Sequence, residues 1–471
     1  MPNWGVTADP LHCRRLGLAG SVALAVGGLA SGAVPVGAPR SLADLGLFLA
    51  YFGMVLLVAA WLLLGRAIRS PERPSQRWLL YTLGWWAAPL VLGPPLFSRD
   101  VYSYLAQGAL VQAGVDVYTN GPAVLGGPLA AQVPGVWQNT PAPYGPVFLE
   151  LSSLTERLFG TGLHTGVLGL RLVALLATGG LAVLLPRLAR ACGVDPAAAL
   201  WLGALNPLLL FHLVAGAHND AVLLGLLVAG LVAARRGHPV LAAVLVTLAA
   251  LVKLPAALGL FAVLLLWNGQ LRGRARLPRA LLGTGAVALA TTVVVTLLTG
   301  TGYGWIHALA VPVSAGSWSL TSAIGRASGA VVGTWLPGLG HLAVTAWRWF
   351  GLAVAAAAVT ALAGRVRRQG LGVVYALGLG LAVVVALGPA IRPWYALWAV
   401  VLIAAAAPEG RVRRWAPAVS GLLAIIVVPD GFTPDREQLA IAVAGGAVAV
   451  AVLGGLRLLL AVSHARRAKL C

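Results

Sequence analysis

Long apolar segments, separated by short polar ones, recur along the whole chain. Each extends for about twenty residues, the length a helix needs to cross a hydrocarbon core of ~30 Å. The segments are continuous rather than alternating, which excludes a transmembrane β-barrel. Because lipid offers the backbone no hydrogen bonds, only helices and closed barrels span it. The pattern therefore predicts an all-α polytopic membrane protein.

The cations fix the predicted orientation. Of the 33 Lys and Arg residues, 23 lie in eight short clusters between apolar segments. Cytoplasmic loops carry such an excess, and placing all eight clusters in the cytoplasm predicts about 14 transmembrane helices with both termini inside. The predicted spans are 16–38, 42–64, 78–96, 166–186, 197–214, 219–234, 238–252, 255–267, 278–299, 341–363, 371–388, 394–407, 416–428 and 438–460.

Composition supports this orientation. Charged residues make up 10% of the chain and the mean hydropathy is +0.88, so the net charge of +20 reflects cytoplasmic loops rather than a nucleic-acid partner. Of 13 acidic residues, nine fall outside in this map. The three cysteines map to the cytoplasm, where no disulfide is expected. The first apolar segment could be a signal peptide, but its ~23 residues favour an uncleaved anchor.

The chain is predicted to be a single integral membrane domain, 1–471, with two long external segments. Residues 97–165 are expected to form two juxtamembrane helices lying in the interface, joined by a turn-rich connection. Residues 300–340 form the second external segment and are rich in Gly, Ser and Trp. Loops of this length are usually functional or partly structured.

Asp100 is the leading candidate for chemistry. It follows an apolar helix directly, in FSRDVYSYLAQG, residues 97–108. An ionised carboxylate costs about 2.5–3.5 kcal/mol at mid-bilayer and less near the interface, so its position needs a reason. Asp100, Tyr104 and Gln107 share one helical face. Asp100 could simply cap this helix, although Ser98 could cap it too.

A second polar cluster is His218-Asn219-Asp220, which lies between two apolar segments on the predicted external side. Asn219 or Asp220 could cap the next helix. Three adjacent polar groups also suit the binding of sugar hydroxyls. Both interpretations stay open at the sequence level.

Two external cations are candidates for binding phosphate. Lys253, in LAALVKLPAALG, is one of two lysines in the chain, and Arg392 lies between two prolines beside Trp394 and Tyr395. Snorkelling of the lysine and an aromatic belt at the interface are the structural alternatives. A compact ammonium and a fixed guanidinium next to stackable rings also fit a sugar phosphate.

No metal and no other cofactor is expected. A divalent ion would need a second acid near Asp100, and only Asp116 or Asp220 could approach it, so metal use is possible but not favoured. A zinc site at His212 and His218 lacks a clear third ligand.

Four motifs together carry a resemblance. SRDVYSYLAQG (98–108), APYGP (142–146), LNPLLLFHLVAGAHND (205–220) and IRPWY (391–395) resemble the polyprenol-phosphate-mannose-dependent α-1,6-mannopyranosyltransferases of actinobacterial envelopes, within the GT-C glycosyltransferase superfamily. The similarity covers roughly 80–410. It implies a GT-C-type fold and an active site on the extracytoplasmic face of the cell membrane. It also implies inverting transfer of mannose from polyprenyl-phosphate mannose to an α-1,6-mannan or lipomannan-type glycolipid acceptor.

Roles follow from this resemblance and from the residue chemistry. Asp100 would be the general base that takes the acceptor proton, and Lys253 and Arg392 would hold the donor phosphate. The remaining candidates for substrate binding are Arg99, Tyr104, Gln107, Tyr144, His218, Asn219, Asp220, Trp394 and Tyr395.

Two rival functions stay open. A GT-C enzyme using another polyprenyl-phosphate sugar, such as arabinofuranose, would share the fold and the base. A transporter or flippase is less favoured, because transporters place acids near the bilayer midplane and no acid falls mid-span in this map.

Overall fold

The computed structural model describes residues 9–33, 39–71, 73–160, 162–310, 317–431 and 434–468. Within these ranges the protein is all-α, with one isolated β-bridge between Val428 and Gly431. The first ten helices are α1 Pro10–Ser31, α2 Arg40–Ala67, α3 Gln76–Leu92, α4 Asp100–Gln112, α5 Gly127–Gln132, α6 Gly135–Gln138, α7 Pro146–Phe159, α8 Leu163–Ala191, α9 Pro196–Ala199 and α10 Pro207–Leu209. The others are α11 Asp220–Arg235, α12 Pro239–Ala250, α13 Leu258–Gln270, α14 Arg276–Thr299, α15 Leu320–Trp335, α16 Gly340–Gln369, α17 Val373–Leu387, α18 Ala396–Ala406, α19 Arg411–Ile425 and α20 Arg436–Ala468.

The helices confirm a multi-pass membrane protein. Six of them in the described ranges, α1, α2, α8, α14, α16 and α20, are long and apolar enough to cross a bilayer, and several shorter apolar helices accompany them. Each predicted span overlaps a helix or, for 197–214, helical segments separated at Leu205 and Asn206. Residues 34–38 of the predicted span 16–38 lie outside the described residues. The total of about 14 crossings stays a prediction.

Two compact units divide the chain, and the first comprises residues 1–99, 205–216 and 417–471. Its helices α1 and α2 pack through small residues: a Cβ on Gly20 would lie 2.7 Å from the Gly53 carbonyl oxygen, and one on Gly27 would lie 2.5 Å from that of Gly46. Glycines at such an interface let two helix backbones approach closely in lipid. Helix α2 also packs on α20.

The second unit comprises residues 100–204 and 217–416. The juxtamembrane helices α4 and α7 pack side by side, because Gly108 has no side chain to collide with the Ser152 backbone, only 2.6 Å from where its Cβ would be. Helix α11 packs between α8 and α12, and α17 packs on α18. The predicted pair of helices in the first external segment is therefore present, and the short helices α5 and α6 occupy the connection.

Of the predicted external segment 300–340, the structure describes residues 300–310 and 317–340. A 3-10 turn spans Gly304–Ala310, and α15 packs against α16. Ser319 caps α15 by accepting a hydrogen bond from the backbone N–H of Ser322. The sequence SLTS, residues 319–322, does not by itself predict this cap, because Gly and Ser are frequent throughout the segment.

Candidate functional site

The second unit contains a polar cleft, hereafter the cleft. Its walls come from α4, the connection before α7, the break between α12 and α13, and the turn before α18. The lining residues are Asp100, Ser103, Gln107, Trp137, Thr140, Pro141, Pro143, Tyr144, Lys253, Ser317, Ala390, Ile391, Arg392 and Tyr395. Six predicted site residues are among them: Asp100, Gln107, Tyr144, Lys253, Arg392 and Tyr395.

Helix α4 presents Asp100 to the cleft. Asp100 is its first residue, and Ser103 and Gln107 line the cleft from the same helical face. The side chain of Asp100 keeps 19% of its surface exposed, and it is the one acid among the lining residues. A partly desolvated carboxylate that still reaches the solvent is suited to take a proton from a bound hydroxyl.

Tyr104 shares the Asp100 face of α4, but its side chain is buried and does not line the cleft. Its ring makes edge-to-face contacts with Tyr144 and Phe148, at centroid distances of 5.4 and 4.9 Å. Its hydroxyl lies 3.1 Å from Nδ1 of His218. Burial raises the pKa of both Tyr104 and Tyr144, so both phenols stay protonated and can donate hydrogen bonds.

His218 is fully buried behind Asp100. Its Nδ1 lies 3.9 Å from Oδ2 of Asp100, and its ring stacks on Trp394 at a centroid distance of 3.9 Å. Neither His218 nor Trp394 lines the cleft. The stacked pair is buried, with His218 beside the carboxylate, and its role in substrate binding stays a prediction.

Asp220 and Lys253 form a buried ion pair. The ammonium of Lys253 donates to both carboxylate oxygens of Asp220, at 3.2 and 3.0 Å, and approaches Oδ1 of Asn219 at 3.4 Å. The indole N–H of Trp398 donates to Oδ1 of Asp220 at 2.6 Å. Asp220 is fully buried, so its role in this geometry is to hold Lys253, which itself lines the cleft.

The interruption between helices α12 and α13 explains the position of Lys253. Lys253 is extended, with φ −155° and ψ 124°, and Pro255 follows within a 3-10 turn. Burial lowers the pKa of Lys253, but the negative charge of Asp220 outweighs this effect, and the net shift is upward. The ammonium therefore stays charged at neutral pH. Its Nζ lies 4.6 Å from the centroid of the Tyr395 ring.

Arg392 reaches the cleft from a similar break. It is extended, with φ −137° and ψ 146°, before the 3-10 turn Pro393–Tyr395 that leads into α18. Tyr395 also lines the cleft and stacks on Trp398 at a centroid distance of 4.4 Å. Two cations and one carboxylate thus share the cleft with aromatic rings.

Asp116, considered above as a partner for Asp100, does not line the cleft. It caps its own turn by accepting a hydrogen bond from Tyr118 N at 2.9 Å. Within the described residues no group of three His, Cys, Asp or Glu side chains is placed to hold a metal ion. The side chain 3.9 Å from the Asp100 carboxylate is that of His218.

Arg99 and His212 belong to the first unit. Burial raises the pKa of Asp430 in that unit, and the positive charge of Arg99 opposes the shift. The ring of His212 lies 5.3 Å from that of Phe97 and is fully buried.

Sequence reasoning missed five residues at or behind the cleft. Ser103, Trp137, Thr140 and Ser317 line it, and Trp398 supports Asp220. Ser103 had a signal, since it lies three residues after Asp100 on the same helical face. Trp137 comes from the four-residue helix α6, and Thr140 and Ser317 come from loops. No local pattern indicates that these segments fold back to the cleft.

The second unit also contains an apolar groove, hereafter the groove. It holds about 690 Å³ and lies between α7, α8, α11, α12 and α14. Gly145 approaches the Leu251 carbonyl so closely that a Cβ would lie 2.2 Å from its oxygen. The groove residues Val147 and Leu248 therefore lie, along the chain, only a few residues from the cleft residues Tyr144 and Lys253 on either side of this contact.

Comparison with known proteins gives a consistent result. The N-terminal domain model of the α-(1→6)-mannopyranosyltransferase family matches residues 14–269, and the MptB C-terminal domain model matches residues 321–455. A probable α-(1→6)-mannopyranosyltransferase of Mycolicibacterium smegmatis is 35% identical, with 95% of this chain and 89% of the relative aligned.

Two further relatives carry similar names. The α-(1→6)-mannopyranosyltransferase A of Mycobacterium tuberculosis is 34% identical over 88% of this chain and 84% of its own length. The α-(1→6)-mannopyranosyltransferase B of Corynebacterium glutamicum is 33% identical over 89% of this chain and 77% of its own length.

Proposed function

Because the chain belongs to the α-(1→6)-mannopyranosyltransferase family and is therefore a mannosyltransferase, we propose that it uses polyprenyl-phosphate mannose as its donor. The acceptor is an α-1,6-mannan of lipomannan type, and transfer takes place on the extracytoplasmic face of the cell membrane. The proposal includes a GT-C-type fold with about 14 crossings. The observation that carries it is the cleft, where one carboxylate faces two cations.

Asp100 acts as the general base. The acceptor oxygen attacks the anomeric carbon of mannose while its proton passes to the Asp100 carboxylate. The bond between that carbon and the phosphate oxygen breaks on the opposite face, and polyprenyl phosphate leaves with the bonding electrons. Attack on a β-linked donor from the opposite face inverts the anomeric centre and gives an α-mannoside.

One carboxylate is sufficient for this reaction. Glycosidases need a second carboxyl group to protonate a poor leaving group, but a phosphate leaves as a stable anion. Lys253 and Arg392 supply positive charge where the leaving phosphate gains negative charge, and preorganised charges of this kind lower the barrier. The Asp220 carboxylate, 3.0 Å from the ammonium, fixes Lys253 before the donor binds.

The groove supports a lipid-linked donor. Its lining is almost wholly aliphatic, and its residues Val147 and Leu248 lie a few positions along the chain from the cleft residues Tyr144 and Lys253. In this proposal the polyprenyl chain lies in the groove and its phosphate lies at Lys253. A nucleotide sugar has no apolar tail to bury there.

The predicted substrate-binding residues divide into two groups in this proposal. Gln107, Tyr144 and Tyr395 line the cleft and can contact the substrates directly. Tyr104, His218, Asn219, Asp220 and Trp394 act from behind by orienting Asp100 and Lys253. Arg99, which belongs to the first unit, stays a candidate for substrate binding.

A donor comparison tests the proposal. The purified protein is given radiolabelled polyprenyl-phosphate mannose, polyprenyl-phosphate arabinofuranose or GDP-mannose, each with a short α-1,6-mannoside acceptor. We expect transfer from polyprenyl-phosphate mannose alone, with a new 1,6-linkage identified by methylation analysis. Transfer from GDP-mannose would reject the lipid-linked donor, and preferred transfer of arabinofuranose would reject mannose.

A further inference from the structure

The side chains that line the cleft fall into two chemical groups. Lys253 and Arg392 contribute positive charge. Ser103, Gln107 and Trp137 contribute neutral hydroxyl, amide and aromatic groups to the same cleft. A sugar phosphate accounts for the cations, but it leaves the neutral groups without a partner.

Ser103 and Gln107 are buried, and each has one side-chain oxygen without a hydrogen-bond partner among the described residues. Each keeps only 4% of its surface exposed, and Ser103 Oγ and Gln107 Oε1 have no partner among the described residues. Leaving a buried polar group unsatisfied is costly, so proteins rarely do it without a reason. Both groups lie on the Asp100 face of α4, so a polar ligand beside Asp100 would satisfy them.

Trp137 adds an aromatic surface. It lies in α6 and is half-buried. The connection that carries it is held by its own contacts: Gln138 donates to the Val133 carbonyl at 3.1 Å, and a Cβ on Gly121 would lie 2.5 Å from the Gln138 carbonyl oxygen. A fixed indole offers an apolar face to the C–H bonds of a sugar ring.

From these observations we propose that Ser103, Gln107 and Trp137 form the acceptor subsite. It takes a neutral hexopyranoside, the terminal mannose of the acceptor, and directs one hydroxyl of that sugar to the Asp100 carboxylate. The hydroxyl of Ser103 and the amide of Gln107 bind sugar hydroxyls, and the indole packs on the ring. This inference rests on the proposed function and assigns a role to the neutral side chains that line the cleft.

The test is a comparison of steady-state constants. Wild-type protein is compared with the variants Ser103→Ala, Gln107→Met and Trp137→Ala, using polyprenyl-phosphate mannose and a short α-1,6-mannoside. We expect the acceptor KM to rise about tenfold in each variant, equivalent to roughly 1.4 kcal/mol, while the donor KM stays within about twofold. Asn139→Ala, at an exposed position of the same connection, is the matched control and should leave both constants unchanged.

Stability separates a binding role from a structural one. Because Gln107 Oε1 has no partner in the described residues, replacing the side chain by Met should not lower the melting temperature in detergent. A fall in melting temperature together with an unchanged acceptor KM would overturn the proposal, as would a rise in the donor KM alone. Absence of transfer by the wild type from polyprenyl-phosphate mannose would reject the proposed function and this subsite with it.

Discussion

At the scale of single residues, the site depends on what stands behind the cleft as much as on what lines it. Asp220 is fully buried and bonded to Lys253 and Trp398. It has no surface left for a sugar hydroxyl. We therefore propose that the carboxylate serves the donor indirectly, by fixing the cation that binds the phosphate.

The two cations should control donor affinity. Charge-assisted hydrogen bonds contribute about 1.5–3 kcal/mol each, so Lys253→Met or Arg392→Ala should raise the donor KM by roughly 10- to 150-fold. The acceptor KM should stay close to that of the wild type. Steady-state kinetics with polyprenyl-phosphate mannose measures both. If neither variant changed the donor KM, the two cations would be interface anchors.

Breaking the buried pair should destabilise the protein. Asp220→Asn leaves the Lys253 ammonium buried without its counter-charge, which costs about 3–5 kcal/mol, and it should lower the melting temperature and weaken donor binding. The double variant Asp220→Asn/Lys253→Met removes both charges and should recover most of the melting temperature, but not the donor affinity. Thermal unfolding in detergent checks this cycle. A single variant as stable as the wild type would contradict the geometry.

Part of this residue-level picture was predictable. His218-Asn219-Asp220 and Lys253 each stood out as polar groups in apolar surroundings. Their pairing did not, because a contact across 33 residues depends on how α11 and α12 pack. The sequence likewise identified Asp100, but not the loop residues that close the cleft around it.

At the scale of helices, the apolar pattern predicted where the helices lie better than where a helix is interrupted. Within the described residues, each predicted span overlaps helical segments. The interruptions at Lys253 and Arg392 lie between predicted spans, whereas the interruption at Asn206 falls inside the predicted span 197–214 and was not predicted. A proline follows each of these residues directly or after one residue, and proline disfavours helical backbone just before it.

The contact between α4 and α7 should tolerate no side chain at Gly108. A Cβ there would lie 2.6 Å from the Ser152 backbone, so Gly108→Ala should separate the helices at a cost of about 1–3 kcal/mol. We expect a lower melting temperature in detergent and weaker transfer, because Asp100 lies on α4. Gly179→Ala, in α8 with nothing within 4 Å of its Cβ, is the control and should be neutral or slightly stabilising. Equal melting temperatures for the two variants would contradict the packing.

At the scale of the whole molecule, orientation in the membrane determines which compartment supplies the substrates. The charge distribution places the segment 97–165 outside and the end of α16 inside. In a variant whose native cysteines are replaced by serine, Asn139→Cys should react with a membrane-impermeant thiol reagent in intact cells. Gln369→Cys should react only after the cells are opened. Both positions are exposed, so labelling in the opposite order would invert the topology.

The mechanism proposed for mannosyl transfer depends on Asp100 as the general base. Asp100→Asn keeps the size and helix-capping ability of the side chain and removes its basicity. The most direct measurement is single-turnover transfer from saturating polyprenyl-phosphate mannose by purified Asp100→Asn, with Asp116→Asn as the matched control. We predict a fall of ~10²–10⁴-fold, about 2.7–5.4 kcal/mol of barrier, with donor binding and melting temperature retained and the Asp116 variant active. Transfer by Asp100→Asn within about threefold of the wild-type rate would show that Asp100 is not the general base.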